Sequence, residues 1–158
     1  PKLGAMIELP SAVEIAEELA DELDFLSIGT NDLVMYLLAV DRTNSRLSEL
    51  YRSYHPTVLR TLASLAERIR PLDVELSVCG DSAADAVMLP FYLGLKIPAL
   101  SVSPDNLIRV RKCVAALDQG TVEEVHDAML SIRRLSEMDS YVSDLRPRIH
   151  AKVDELFP

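Results

Sequence analysis

The chain has 158 residues, of which 49% are hydrophobic and 26% are charged, and this composition is typical of a folded globular domain and excludes a disordered chain. Its 25 acidic and 16 basic residues give a formal net charge of −9, which argues against nucleic acid or an anionic membrane as the main partner, since both attract basic surfaces. Two widely spaced cysteines favour a reducing cytoplasm over a disulfide framework, and no apolar run approaches the roughly 18 residues that indicate a membrane span.

Four short apolar runs predict buried strands, at residues 4–9, 23–28, 74–79 and 98–102. Helical patterns separate these runs. The first predicted helix begins at Ser11 with Glu14 as its capping-box partner, and the others cover residues 56–69, 82–93 and 104–117. Strands and helices that alternate at this spacing predict βα units around a parallel sheet.

The end of the chain is helical in pattern and has no further strand. An apolar stripe and a second capping box, Thr121 to Glu124, predict a helix over residues 121–139. A second helical pattern covers residues 141–157, and we expect Pro147 to break or kink it because proline has no backbone N–H to donate.

Four parallel βα units allow two architectures. The chain forms either an open α/β sheet or the second half of a (βα)8 barrel, because four units are half of the eight that close a barrel. We expect residues 1–120 to form the βα units and residues 121–158 to form a helical extension of the same domain.

Two acidic residues follow neighbouring strands, at the end of the sheet where function gathers in parallel α/β folds. Glu8 lies at the end of the first predicted strand, and Asp32 follows the second directly after Asn31. Paired carboxylates suit Mg²⁺, with water and substrate completing its oxygen ligands. The alternatives are a Glu8 that is solvated or pairs with a buried base, and an Asp32 that caps the following helix.

Arg42 and Cys79 are two further candidates at the same end of the sheet. The Arg42 guanidinium matches a phosphate or carboxylate in a fork, although a surface salt bridge with Asp41 or Glu49 is the alternative. Cys79 ends the third predicted strand, where it is either a reactive thiol, as acid or nucleophile, or a small buried hydrophobe.

These residues lie in four ordered segments that resemble a known family, the phosphoenolpyruvate (PEP)-binding domain of enzyme I, the PEP–protein phosphotransferase of the bacterial sugar phosphotransferase system. The segments are residues 4–11 (GAMIELPS), 24–33 (DFLSIGTNDL), 41–44 (DRTN) and 79–80 (CG). The similarity covers about the first 120 residues.

The resemblance implies a (βα)8 barrel of which this chain is roughly the second half. It implies that Glu8 and Asp32 hold Mg²⁺ for the phosphate and carboxylate of PEP, and that Asn31 contacts the phosphate. Arg42 would clamp the anion, and Cys79 would protonate C3 of the enolate as pyruvate forms.

The same resemblance implies partners outside the chain. The phosphoryl group would pass to a phosphohistidine domain of the same parent chain and through it to a phosphocarrier protein. Enzyme I also dimerises through its barrel domain, so a homodimer is expected. Because the sequence lacks an initial Met and resembles only part of the family's chain, we expect a C-terminal fragment that is inactive alone.

Four positions depart from the family pattern. Met35 stands where the family usually has Gln. After the Cys-Gly pair the family commonly reads Glu-Met-Ala-Gly, and this chain has Asp81, Ser82 and Ala84 in place of its Glu, Met and Gly. These departures fit a divergent enzyme I better than a standard one.

Two other interpretations remain open. The chain could belong to pyruvate phosphate dikinase or phosphoenolpyruvate synthase, which are relatives of enzyme I, although the Asp-Arg-Thr-Asn string at residues 41–44 favours enzyme I. It could also be an inactive dimerisation module that keeps the fold without the reaction.

Overall fold

The structure of the chain, a computed structural model, describes residues 1–41, 44 and 47–157. Its centre is one parallel sheet of four strands that lie in chain order. The strands are β1 (Gly4–Ile7), β2 (Phe25–Gly29), β3 (Glu75–Cys79) and β4 (Ala99–Leu100). The predicted α/β class and parallel arrangement are confirmed, and β1 and β4 form the two edges of this sheet.

Helices follow each strand and complete the fold. The helices are α1 (Pro10–Glu14), α2 (Ala16–Glu22), α3 (Thr30–Leu38), α4 (Pro56–Ile69), α5 (Met88–Gly94), α6 (Pro104–Ala116), α7 (Gln119–Ser131) and α8 (Leu135–Leu156). Two short 3-10 helices cover Ser48–Leu50 and Asp81–Ala84. In the part of the chain that the structure describes, no helix has both the length and the apolar character that a membrane span needs.

The two faces of the sheet differ in burial because successive side chains of a strand point to opposite faces. One face packs against the helices and supplies the core with Ile7, Leu26, Ile28, Leu76 and Val78. The other face, which we call the open face, carries one residue of each strand in register. These residues are Met6, Ser27, Ser77 and Ala99.

The helix predicted over residues 82–93 is two helices, with a junction at Asp85. The backbone of Asp85 is extended, with φ −78° and ψ 121°, and its carboxylate accepts the main-chain N–H of Val87 at 3.1 Å. A short acidic side chain that bonds to the backbone two residues ahead favours a turn over a continuous helix, so the predicted single helix is wrong.

The predicted effect of Pro147 is also wrong, because α8 continues through it. Proline removes the N–H that would bond to the carbonyl of Ser143, but both residues are exposed, where water can hydrate that carbonyl. Val142, Leu145 and Ile149 are buried on the opposite side of α8, so core packing holds the helix together across the proline.

Both predicted capping boxes are wrong. Pro10 is the first residue of α1, and its preceding residue, Leu9, makes no side-chain cap bond, so the helix begins before Ser11. In α7 the cap is Asp118, whose carboxylate accepts the main-chain N–H of Thr121 at 2.8 Å and its hydroxyl at 2.9 Å.

The helix predicted over residues 121–139 is divided between α7 and α8. The chain turns at Ile132, whose φ of −69° and ψ of 129° are extended, although no Gly or Pro marks the turn in the sequence. The buried Met129 and Met138 on either side both reach the core. Because α7 starts at Gln119, the expected boundary between residues 120 and 121 falls inside its first turn.

Candidate functional site

The carboxyl ends of β1, β2 and β3 lie at one edge of the sheet, as expected for parallel strands. We call the residues at this edge the rim, and they are Glu8, residues 29–32 and residues 79–81. Gly29 pairs with Cys79 in the register of β2 and β3. A Cβ atom on Gly29 would lie 3.0 Å from Glu8 Cβ and 2.8 Å from Met6 Sδ. Glu8, which follows β1, and Cys79, the last residue of β3, therefore lie on either side of Gly29 at the end of β2.

Cys79 is half-buried and follows the same side of β3 as Ser77, since the alternate residues Leu76 and Val78 are in the core. The second cysteine, Cys113, is buried in α6, and this burial raises the pKa of its thiol to about 11. Only Cys79 of the two combines partial exposure with a place on the rim.

Asp32 lies in the first turn of α3, and Gly29 is the residue that precedes this helix. The alternative in which Asp32 caps the helix therefore does not apply, because Asp32 is the third helical residue. An acidic side chain in the first turn is stabilised by the partial positive charge of the helix N-terminus. The half-buried Asp32 thus adds a second carboxylate to the rim.

The two rim carboxylates fit the chemistry of a hard divalent cation. Across residues 1–41, 44 and 47–157, neither Glu8 nor Asp32 forms an ion pair with a Lys or Arg, so the alternative in which Glu8 pairs with a buried base finds no partner there. The same residues contain no group of three or more His, Cys, Asp or Glu that could hold a metal ion. A metal here would accordingly take two protein carboxylates and complete its ligands with water and substrate, as Mg²⁺ commonly does.

Asn31 joins the rim segments that follow β2 and β3. Its side-chain Oδ1 accepts the main-chain N–H of Asp81 at 2.9 Å, and its main-chain carbonyl accepts the Tyr51 hydroxyl at 3.2 Å. The bond to Asp81 uses only the oxygen of the Asn31 amide, so its NH₂ group keeps its donors for an anion at the rim.

Gly80 has a backbone conformation that suits glycine alone, with φ +97° and ψ −179°. A Cβ atom there would lie 2.5 Å from Thr30 Oγ1 and 2.8 Å from Asn31 Oδ1. The turn after Cys79 therefore packs directly against the turn after β2, which brings residues 50 positions apart to one place.

Sequence reasoning missed a row of hydroxyl groups behind the rim, formed by Thr30, Ser82 and Tyr92. Ser82 gave the only signal, as a polar residue where the family commonly has Met. Tyr92 gave none, because it stands in an apolar helix, α5.

Two ion pairs join α8 to segments outside the rim. Asp85, six residues after Cys79, accepts two bonds from the Arg146 guanidinium on α8, at 2.9 and 3.2 Å. Arg52 pairs with Asp139 of the same helix at 3.4 Å. The remaining candidate, Arg42, lies outside the described residues.

Comparison with known proteins gives both a family and relatives. A family model described as "PEP-utilising enzyme, PEP-binding domain" matches residues 1–119. The chain is 34% identical over 143 residues to the phosphoenolpyruvate-protein phosphotransferase of Bacillus subtilis (strain 168). The matched residues make up 90% of this chain and 25% of that protein.

Two further relatives agree. The phosphoenolpyruvate-protein phosphotransferase of Priestia megaterium is 36% identical over 141 residues, covering 89% of this chain and 25% of that protein. An Escherichia coli (strain K12) protein named "Phosphoenolpyruvate-dependent phosphotransferase system" is 34% identical over 148 residues, covering 94% of this chain and 20% of that protein. The chain spans a quarter or less of the length of these three relatives.

Proposed function

Because this chain belongs to the family of PEP-utilising enzymes and matches their PEP-binding domain, we propose that it is the PEP-binding part of an enzyme I-like PEP–protein phosphotransferase. Its relatives are named as phosphotransferases, which favours this activity over that of a dikinase or a synthase. The observation that supports the proposal is the rim, where Glu8, Asn31, Asp32 and the half-buried Cys79 all follow or end neighbouring parallel strands at their carboxyl ends.

Each rim group has a role in the proposed reaction. Glu8 and Asp32 would hold Mg²⁺, which when bound supplies positive charge to the phosphate and carboxylate of PEP. The NH₂ group of Asn31 would donate to the phosphate, and Arg42 would add a second cationic contact. These groups counter negative charge on the transferring phosphoryl group and on the leaving enolate.

The proposed reaction breaks the bond between phosphorus and the enol oxygen of PEP and forms a bond from phosphorus to a histidine nitrogen on another domain. The enolate that remains must take a proton at C3 to become the methyl group of pyruvate. The Cys79 thiol would give that proton and regain one from water. The position of Cys79 across Gly29 from Glu8 supports this role.

The proposal extends to the setting of the chain. We infer that its four βα units are half of a (βα)8 barrel in a cytoplasmic phosphotransferase, with a phosphohistidine domain and a phosphocarrier protein as partners. The order of the strands and the open face on one side of the sheet support a barrel. The exposed apolar residues of that face support a homodimer of the isolated chain. We expect this chain alone to be inactive in phosphoryl transfer.

The experiment uses Mn²⁺ in place of Mg²⁺, because Mn²⁺ reports its protein-bound state through the relaxation rate of water protons. Addition of PEP to the chain with Mn²⁺ should enhance this relaxation, and Glu8→Gln or Asp32→Asn should remove the enhancement. Glu14→Gln, which changes an exposed carboxylate on α1, is the matched control and should keep it. Equal enhancement in all four proteins would refute the proposed metal ligands.

A further inference from the structure

Three buried hydroxyl groups form a row that ends on the backbone of Cys79. The Thr30 hydroxyl donates to the Cys79 main-chain carbonyl at 2.7 Å, and the Ser82 hydroxyl donates to Thr30 Oγ1 at 2.8 Å. Ser82 Oγ and Tyr92 Oη are 2.6 Å apart. Thr30, Ser82 and Tyr92 are only 1%, 5% and 1% exposed, so the row lies in the interior.

The chemistry of the groups fixes the direction of every bond in this row. A carbonyl oxygen only accepts, so Thr30 gives its one hydroxyl proton to Cys79. Thr30 Oγ1 must then accept from Ser82, which in turn must accept from Tyr92. Burial raises the pKa of the Tyr92 phenol, so the proton that starts the row stays in place.

The row acts on the turn that carries the candidate thiol. Thr30 holds the carbonyl before Gly80, and Asn31 holds the N–H after it, on Asp81. Glycine at position 80 allows both hydrogen bonds, since a Cβ atom there would lie only 2.5 Å from Thr30 Oγ1. The peptide groups on both sides of Gly80 are thus fixed from the end of β2.

We propose that Ser82 and Tyr92 are positioning residues that hold Cys79 on the rim through Thr30. The inference rests on the proposed function, because a fixed thiol matters when it must deliver a proton to one carbon atom. The row ends on a carbonyl, which has no proton to pass on, so it sets geometry and does not conduct protons. Buried hydrogen bonds of this kind polarise one another and make the arrangement rigid.

The test measures how fast iodoacetamide alkylates Cys79 across a range of pH in the chain as it stands. Peptide mass analysis distinguishes Cys79 from the buried Cys113. Ser82→Ala and Tyr92→Phe should each raise the Cys79 rate roughly three- to tenfold, the size of one lost hydrogen bond, because the half-buried thiol becomes more mobile. Tyr141→Phe is the matched control, since within the described chain the Tyr141 hydroxyl is buried without a hydrogen-bond partner, and it should leave the rate unchanged.

The double variant Ser82→Ala/Tyr92→Phe separates positioning from stability. It removes both polar groups, so it should recover part of the stability that Ser82→Ala loses by leaving the Tyr92 hydroxyl unpaired. The Cys79 rate should stay raised. In a Thr30→Val background, Ser82→Ala should not change the Cys79 rate further, because loss of the Thr30 hydroxyl has already separated Ser82 from the Cys79 carbonyl.

Rates within twofold of the original chain in both single variants would overturn the inference, as would a double variant that restores stability and rate together. If Ser82→Ala does not fold, Tyr92→Phe alone decides, since it keeps the Ser82-to-Thr30 bond. The outcome is independent of the proposed activity. Loss of turnover on Cys79→Ala tests the role of the thiol, whereas the alkylation rate tests only what holds it.

Discussion

Gly29 stands opposite Cys79 in the pairing of β2 with β3, so the strand next to the candidate thiol carries no side chain at that level. Met6 of β1 and Glu8, the residue after β1, fill this space from the other side, since a Cβ atom on Gly29 would lie 2.8 Å from Met6 Sδ and 3.0 Å from Glu8 Cβ. The Cβ atom of Glu8 therefore lies against Gly29, at the end of the strand that separates Glu8 from the candidate thiol.

We predict that Gly29→Ala weakens the PEP-dependent relaxation signal of Mn²⁺ by about tenfold, because small displacements in a site are costly to binding and reaction. The exposed Met6 side chain can move away from the added methyl group, whereas Glu8 Cβ next to the backbone cannot do so freely, so the displacement should fall on Glu8. Gly120→Ala is the matched control, as its Cβ would meet only Asp118 Oδ1 at 3.3 Å. Equal binding by both variants would argue against a site at this position.

We predict that the ion pair between Asp85 and Arg146 anchors the segment after the rim to α8. Arg146→Met should lower the free energy of unfolding by about 1–3 kcal/mol, because it leaves a largely buried carboxylate without its cation. Asp85→Asn should cost less, since the amide oxygen can still accept the Val87 N–H. Chemical denaturation of both variants measures the difference, and a larger loss for Asp85→Asn would contradict the assignment.

The strands and the parallel sheet were predictable because their signals are local. Each strand is a short apolar run between polar turns, and each observed strand lies within or one residue beyond its predicted run. The grouping of these residues at one edge of the sheet was predictable for the same reason, since Glu8 and Cys79 lie at the ends of their runs, Asn31 follows the second run, and parallel strands have their carboxyl ends at one edge.

The helix boundaries were less predictable because tertiary contacts decide them. Pro147 stays within α8 because buried residues on the opposite side hold the helix. Asp85 divides a predicted helix by bonding to the backbone at Val87 and to Arg146, 61 residues away. The hydroxyl row behind Cys79 likewise joins three segments whose sequence gives no sign that they meet.

Asp118 should make stability sensitive to acid. The Lys152 ammonium at 2.7 Å, followed by the Thr121 bonds, holds the pKa of the Asp118 carboxyl far below its ordinary value of 3.8. A carboxyl whose pKa is lower in the folded state stabilises the fold above the unfolded pKa, and this contribution is lost as the pH falls below about 4.

We therefore predict that Asp118→Asn unfolds with a weaker dependence on pH between 5 and about 2.5 than the original chain. Thermal unfolding across this range gives the measurement. Asp144→Asn, an exposed acid on α8, is the control and should follow the original curve. Parallel curves for Asp118→Asn and the original chain would refute the assignment.

We expect the isolated chain to form a dimer with a second copy through the open face and the edges of its sheet. Met6 is 50% exposed and Phe25 37%, and unpaired strand edges favour association. Sedimentation at tens of micromolar should show the dimer, and Met6→Lys with Phe25→Lys should shift it to monomer. Leu156→Lys changes an exposed apolar residue on α8 and should leave the dimer intact. A monomeric original chain would contradict this expectation.

Cys79→Ala in a full phosphotransferase that carries this chain, with Cys113→Ala as the control, tests most directly whether Cys79 completes a PEP reaction at the rim. Pyruvate release and PEP binding are measured on the same protein. We predict that Cys79→Ala lowers turnover by at least about 100-fold and leaves PEP binding within about twofold, because the thiol acts as an acid after binding. Unchanged turnover, or an equal loss of turnover and binding, would contradict the account.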